Sequence, residues 1–187
     1  MMSDWKESKT IVGEEEGSER QVVAYVAKDD RVGLHVHDLK RGKEYEFHVW
    51  VTAEFKDKLI VALIEHLYGE RQSRASGFEE LMKENGIVCE RRREWKESKT
   101  IVARGNSPHR RVLAFVGEDD RVGLQVHEMG GPRGREDYQF YVEVPGEEKD
   151  RLTIALMAKI YGCRHSCPSE FEILMQKNEV PLERYVT

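Results

Sequence analysis

The chain contains the same domain twice. Trp5 to Val12 (WKESKTIV) recurs unchanged as Trp95 to Val102, and Asp29 to Leu34 (DDRVGL) recurs as Asp119 to Leu124. A three-residue slip then offsets the match, pairing Lys56-Asp57 with Lys149-Asp150, Tyr68-Gly69 with Tyr161-Gly162 and Phe78-Glu79 with Phe171-Glu172. Internal repetition at a fixed offset fixes the architecture before any residue is read in detail. It divides the 187 residues into two units, 4–93 and 94–187, each near the lower size limit for independent stability. Copies this similar are expected to pack as an intramolecular pseudo-dimer, as identical subunits do about a twofold axis.

Within each unit the pattern predicts four strands, one long helix and one short helix, an α+β class. Lys-Glu-Ser-Lys-Thr-Ile-Val after each tryptophan ends in β-branched residues and reads as a strand, followed by a polar loop. Gln21–Val26 and Arg111–Val116 form the second strand, closed by acidic turn residues at Asp29-Asp30 and Asp119-Asp120. Val32, Leu34 and Val36 then alternate with Gly33, His35 and His37, and Val122, Leu124 and Val126 repeat the pattern. Such alternation means one buried and one exposed sheet face. A fourth strand carries Tyr45, Phe47, Val49 and Val51, or Tyr138, Phe140, Val142 and Val144. The simplest assembly is an antiparallel four-stranded meander.

Thr52 and Pro145 are helix starters, with Glu54 and Glu147 placed where the helix dipole favours acid. The helix that follows, to Tyr68 or Tyr161, is apolar around nearly its whole circumference and must be covered on more than one side. Its charged start, Lys56-Asp57-Lys58 or Lys149-Asp150-Arg151, reads as a solvated first turn. The short helix opens on Ser-x-x-Glu capping boxes at Ser76 and Ser169, and buries a stripe of Phe78, Leu81 and Met82 or Phe171, Leu174 and Met175. Glu90 to Arg93 reads as a short polar connector between the copies.

Composition narrows the function classes. A net charge of -5, shared between the halves, argues against indiscriminate binding to duplex DNA. The start of the chain shows neither a basic nor an apolar leader and no apolar run reaches membrane length, so a cytoplasmic, non-membrane protein is expected. Three cysteines out of register between the copies do not form a disulfide framework. No nucleophile stands with a base and an orienting group, and no glycine-rich phosphate loop occurs, so the expectation is a non-enzyme without cofactor.

The outward-facing sheet positions are the candidate site. If the alternating apolar residues face the core, His35, His37, His48 and Trp50 face outward in the first copy. Gln125, His127, Tyr141 and Glu143 do so in the second, and Tyr25 and Phe115 are expected to join them, although the second strand is apolar on both faces and fits either orientation. Rings on an open sheet can stack unpaired bases, each contributing about 1 to 3 kcal/mol. Lys40, Arg41 and Lys43, with Arg110, Arg111, Arg133 and Arg135, could hold phosphates. The alternative is half-buried sheet residues beside ordinary solvated turns. For metals, His35-x-His37 is a spacing that some sites use, but no completing ligand is adjacent in sequence and a solvated strand face explains it better. Cys163, His165 and Cys167 are weaker candidates for zinc, an incidental loop cluster being the preferred explanation.

Two successive units of four strands and a helix resemble the Whirly-type single-stranded-DNA-binding fold and, more loosely, the Pur-alpha repeats. The resemblance is one of topology and covers most of the chain. It implies single-stranded nucleic acid, DNA or RNA, lying across the sheets. The expectation is therefore a single-stranded nucleic-acid-binding protein, with a protein-interaction or assembly module, or a homo-oligomer, as the alternative.

Overall fold

The computed structural model describes residues 5–12, 20–40, 43–68, 75–92, 103–107, 110–117, 119–128, 138–161 and 168–186. They form an α+β fold of two antiparallel five-stranded sheets and four α-helices.

The first sheet holds β1 (Trp5–Val12), β2 (Arg20–Ala27), β3 (Val32–Lys40), β4 (Lys43–Val51) and β10 (Glu183–Val186), in the order β1-β2-β3-β4-β10. The expected meander is present, with a fifth strand on its edge. Val22, Val36 and Phe47 form one row across three strands, followed by Ala24, Leu34 and Val49, then Val26, Val32 and Val51. All but Phe47, which is half-buried, are buried, as the period-two pattern requires. Asp30 turns β2 into β3 with φ 63°, accepted by aspartate at low cost, while the Ala27 N–H donates to the Arg31 carbonyl at 2.8 Å.

The second sheet repeats this plan with β5 (Glu90–Arg92), β6 (Ala103–Ser107), β7 (Arg110–Val116), β8 (Val122–Glu128) and β9 (Tyr138–Val144), in the order β5-β9-β8-β7-β6. Asp120 takes φ 64° at the matching turn. Two sequence expectations change here. Residues 103–107, expected as polar loop, are the edge strand β6, and Glu90–Arg92, expected as connector, is the opposite edge strand β5. Polar and charged side chains suit an edge, where only one side of the backbone is paired. The segment 96–102, expected as the opening strand of the second copy, lies outside the described residues.

The chain divides into two compact units, Met1–Leu59 with Leu156–Thr187, and Ile60–Ala155. These units cut across the sequence repeats. The first contains the first sheet together with β10 and α4 (Pro168–Lys177); the second contains the second sheet together with β5 and α2 (Ala75–Glu84). The closing helix and strand of each repeat thus belong to the unit that holds the other repeat's sheet.

Helices α1 (Lys56–Tyr68) and α3 (Lys149–Tyr161) are each preceded by a single 3-10 turn, Ala53–Phe55 and Gly146–Glu148. Thr52 stays extended and makes no side-chain cap, so the α-helix begins at Lys56 rather than directly after Thr52. Leu59 through Ile64 are six consecutive buried residues, as are Leu152 through Met157. A helix packed along one stripe cannot bury six neighbours in succession, so both are covered on several sides. Thr153, the one polar member, donates its hydroxyl to the Lys149 carbonyl at 2.7 Å.

The capping boxes lie one residue inside the short helices, which open at Ala75 and Pro168. The predicted stripes are buried throughout, and each fully buried phenylalanine contributes about 1.5 to 3 kcal/mol. Both helices end alike. Gly86 (φ 63°) and Glu179 (φ 54°) turn left-handed, and the Ile87 and Val180 N–H groups reach back to the Met82 and Met175 carbonyls at 2.9 Å. No helix among the described residues is long and apolar enough to cross a membrane.

Candidate functional site

The outward rungs of the first sheet gather its rings. In register, Tyr25, Gly33 and Trp50 form one row across β2, β3 and β4, and Val23, His35 and His48 form the next. A Cβ on Gly33 would meet the Val49 carbonyl oxygen and come within 2.9 Å of the Tyr25 hydroxyl, because the end of the tyrosine side chain lies against the glycine. Trp5 stacks over that ring with centroids 4.9 Å apart, and its own edge meets His35 at 5.8 Å. Tyr25 is consequently buried, which pushes its hydroxyl pKa up to about 12.

The histidines form a second pair. His35 and His48 are direct cross-strand partners whose rings stack at 4.1 Å and 8°. Both Nε2 atoms converge on Glu46 Oε1, at 2.9 Å from His35 and 3.3 Å from His48. Burial, then the neighbouring His48, lowers the His35 pKa and favours the neutral ring. The hydrogen bond with His48 lowers that of Glu46, keeping it a carboxylate. Trp50 donates its indole N–H to Glu183 at 3.0 Å, and the Arg31 guanidinium lies 5.4 Å from the centre of its ring.

The second sheet keeps the scaffold and changes the chemistry. Phe115 covers Gly123 as Tyr25 covers Gly33. Gln125 and Tyr141 occupy the rung of His35 and His48, joined by a neutral hydrogen bond of 3.1 Å. Glu143 replaces Trp50, and Arg121 turns to carboxylates, 3.1 Å from Asp119, 3.5 Å from Glu90 and 3.7 Å from Glu143.

The expected stacking surface is therefore corrected. Tyr25, Phe115 and Tyr141 are buried: Tyr25 and Phe115 reach against Gly33 and Gly123, Trp5 stacks on Tyr25, and Tyr141 packs edge-on at 6.5 Å from Phe115. His35, His37, His48, Trp50 and His127 are half-buried. For Lys40, Lys43, Arg110 and Arg111 the backbone alone is described, in β3, β4 and β7. Arg41, Arg133 and Arg135, and Cys163, His165 and Cys167, lie outside the described residues.

The recurrent lysine at the start of each long helix also reads differently in three dimensions. Lys149 is buried rather than solvated and pairs with Asp120, and Lys56 pairs with Asp30 at 3.3 Å. In both copies the helix start is tied to the left-handed aspartate of the β-turn. Glu46 and Trp5 were not singled out by sequence reasoning. Glu46 lies two residues from His48 on the same strand face, but its approach to His35 depends on strand register.

In comparison with known proteins, no protein-family model matches the chain, and no curated protein matches it. What the fold and the site define is a class: an α+β chain of two five-stranded antiparallel sheets, one of which carries a cluster of rings and carboxylates on its outward rungs.

Proposed function

We propose that the chain is a non-enzymatic protein-interaction module, built as an intramolecular pseudo-dimer of its two repeats. The pseudo-dimer is supported by reciprocal edge pairing: β5 of the first repeat extends the second sheet, and β10 of the second repeat extends the first. One observation carries the interaction reading, namely that the ring cluster of the first sheet is interleaved with carboxylates. Glu46 sits between the histidines and Glu183 against Trp50. Carboxylates at that spacing repel a polyanion and favour a partner with lysine or arginine side chains, which indole faces also attract.

A second reading, single-stranded nucleic-acid binding, is supported by the topological resemblance to Whirly-type repeats and by the half-buried Trp50 ring of the first sheet. One experiment separates the two. The full chain, followed by tryptophan fluorescence at low salt, is titrated with a basic peptide array and with labelled single-stranded oligonucleotides. The interaction reading expects saturable binding of arginine- and lysine-bearing peptides, weakened by Glu46→Gln with Glu183→Gln, and no oligonucleotide binding at tens of micromolar protein. Oligonucleotide binding that weakens with salt at a log-log slope of about -0.7 per phosphate, and that Arg133→Ala with Arg135→Ala abolishes, would replace it with the second.

A further inference from the structure

We propose that His35, Glu46 and His48 form a binding site for a divalent transition-metal ion, zinc fitting best, with the two imidazole Nε2 atoms and one carboxylate oxygen as ligands. The inference rests on these three side chains and is independent of what partner the sheet binds.

Two of their three ligand-atom separations are already close to those of a coordination shell. Tetrahedral zinc with nitrogen and oxygen ligands at about 2.0 to 2.1 Å holds its ligand atoms roughly 3.3 Å apart. Here the Nε2–Oε1 separations are 2.9 and 3.3 Å, and all three ligand atoms lie within 4.8 Å of one another. Two neutral imidazoles and a carboxylate are a donor set that zinc uses where a fourth position stays open, and imidazole ranks it among the favoured ions. Strands β3 and β4 supply all three groups through successive same-face rungs of one ladder, His35 opposite His48 and His37 opposite Glu46, so the site is positioned by backbone pairing rather than by a loop.

The pair of histidines is not explained as a simple ion pair. Among the described residues neither ring nitrogen of the half-buried His35 has a well-aligned hydrogen-bond partner, although its Nε2 lies 2.9 Å from Glu46 Oε1. Lone pairs of two parallel rings run side by side, so an ion held by both tilts the rings together and disturbs the Trp5 edge resting on His35. The second sheet fills the equivalent rung with Gln125 and Tyr141, a pair that satisfies itself and offers no imidazole. The ligand set belongs to one sheet only.

The test uses the full, untagged chain after chelator treatment, titrated with zinc chloride by calorimetry and with cobalt(II) by absorption spectroscopy near neutral pH. The expected result is about one ion per chain, visible cobalt bands without a thiolate charge-transfer band, and a change in tryptophan fluorescence. His48→Gln and, at the half-exposed position, Glu46→Gln should each weaken binding by about 100-fold or more, with circular dichroism unchanged. A variant carrying Cys89→Ser, Cys163→Ser and Cys167→Ser should bind as before. Absence of saturable binding, or binding that survives Glu46→Gln and His48→Gln but disappears in the cysteine variant, overturns the site.

Discussion

Trp50 and Glu183 are joined by a 3.0 Å hydrogen bond across 133 residues of sequence. They are register partners in the β4–β10 pairing, so this bond ties the last strand of the chain to the sheet of the first repeat. Without β10 the backbone groups of β4 that face it become an open edge, beside a half-buried indole. Removing residues 183–187 should therefore lower the urea midpoint and promote self-association, seen as a rising scattering mass. Glu183→Ala alone should cost about 1 kcal/mol or less, because the bond is exposed. A truncated chain that stays monomeric with an unchanged midpoint would refute the role given to β10.

The two glycines of the recurrent Asp-Asp-Arg-Val-Gly-Leu segment make a sharper prediction. At Gly33 an added Cβ meets the Val49 carbonyl, the Trp50 Cβ and the Tyr25 hydroxyl; at Gly123 it meets the Val142 carbonyl and the Phe115 ring. Carbonyls of a neighbouring strand cannot withdraw without breaking the ladder. Gly33→Ala and Gly123→Ala should each destabilise by about 1 to 3 kcal/mol in chemical denaturation. Removing the ring as well, in Tyr25→Ala with Gly33→Ala, should not restore stability, since the backbone contact persists.

Those glycines also show what the sequence made legible. Period-two alternation marked the buried rows of β3 and β4, and the capped apolar stripes marked α2 and α4, because each pattern reflects contacts within one element or its nearest neighbour. The contact of Tyr25 with Gly33 is a relation between strands, and β2, apolar on both faces, carries no alternation that could show in sequence that Tyr25 is buried. The His35–Glu46–His48 cluster was hidden for the same reason. Sequence spacing paired His35 with His37, whereas hydrogen-bond register pairs it with His48. Strands β5 and β10 carry no alternating apolar signal because edge strands need none.

Tyr68 and Tyr161 occupy matching helix positions and stack edge-on against Phe78 and Phe171 at 5.3 and 5.6 Å, but their hydroxyls differ. Tyr68 donates to the Gly77 carbonyl at 3.3 Å, whereas the buried Tyr161 hydroxyl has no hydrogen-bond partner among the described residues. An unsatisfied buried hydroxyl opposes folding, and a satisfied one contributes about 0.5 to 1.5 kcal/mol. Tyr68→Phe should destabilise by that amount, while Tyr161→Phe should be neutral or stabilising. Equal losses in thermal and urea denaturation would contradict the asymmetry.

The histidine cluster sets a pH dependence whose sign follows from the direction of its shifts. His35 has its pKa lowered from 6.5 in the folded state, first by burial and then by His48, with His37 adding to the lowering and Glu46 opposing it. Between the folded and unfolded values the unfolded chain binds the extra proton, so stability is full above pH 6.5 and declines as the pH falls toward the folded value. Glu46, lowered from 4.5 chiefly by its hydrogen bond with His48, extends the loss when the pH falls below that value. The urea midpoint of the metal-free chain should therefore drop in a first step below about pH 6.5, ahead of general acid unfolding. Replacing the pair by the second sheet's own solution, His35→Gln with His48→Tyr, installs a neutral hydrogen bond with no titrating ring and should flatten that first step while leaving the neutral-pH midpoint close to its original value. Persistence of the step in the double variant would assign it to another histidine and remove the cluster from the acid response.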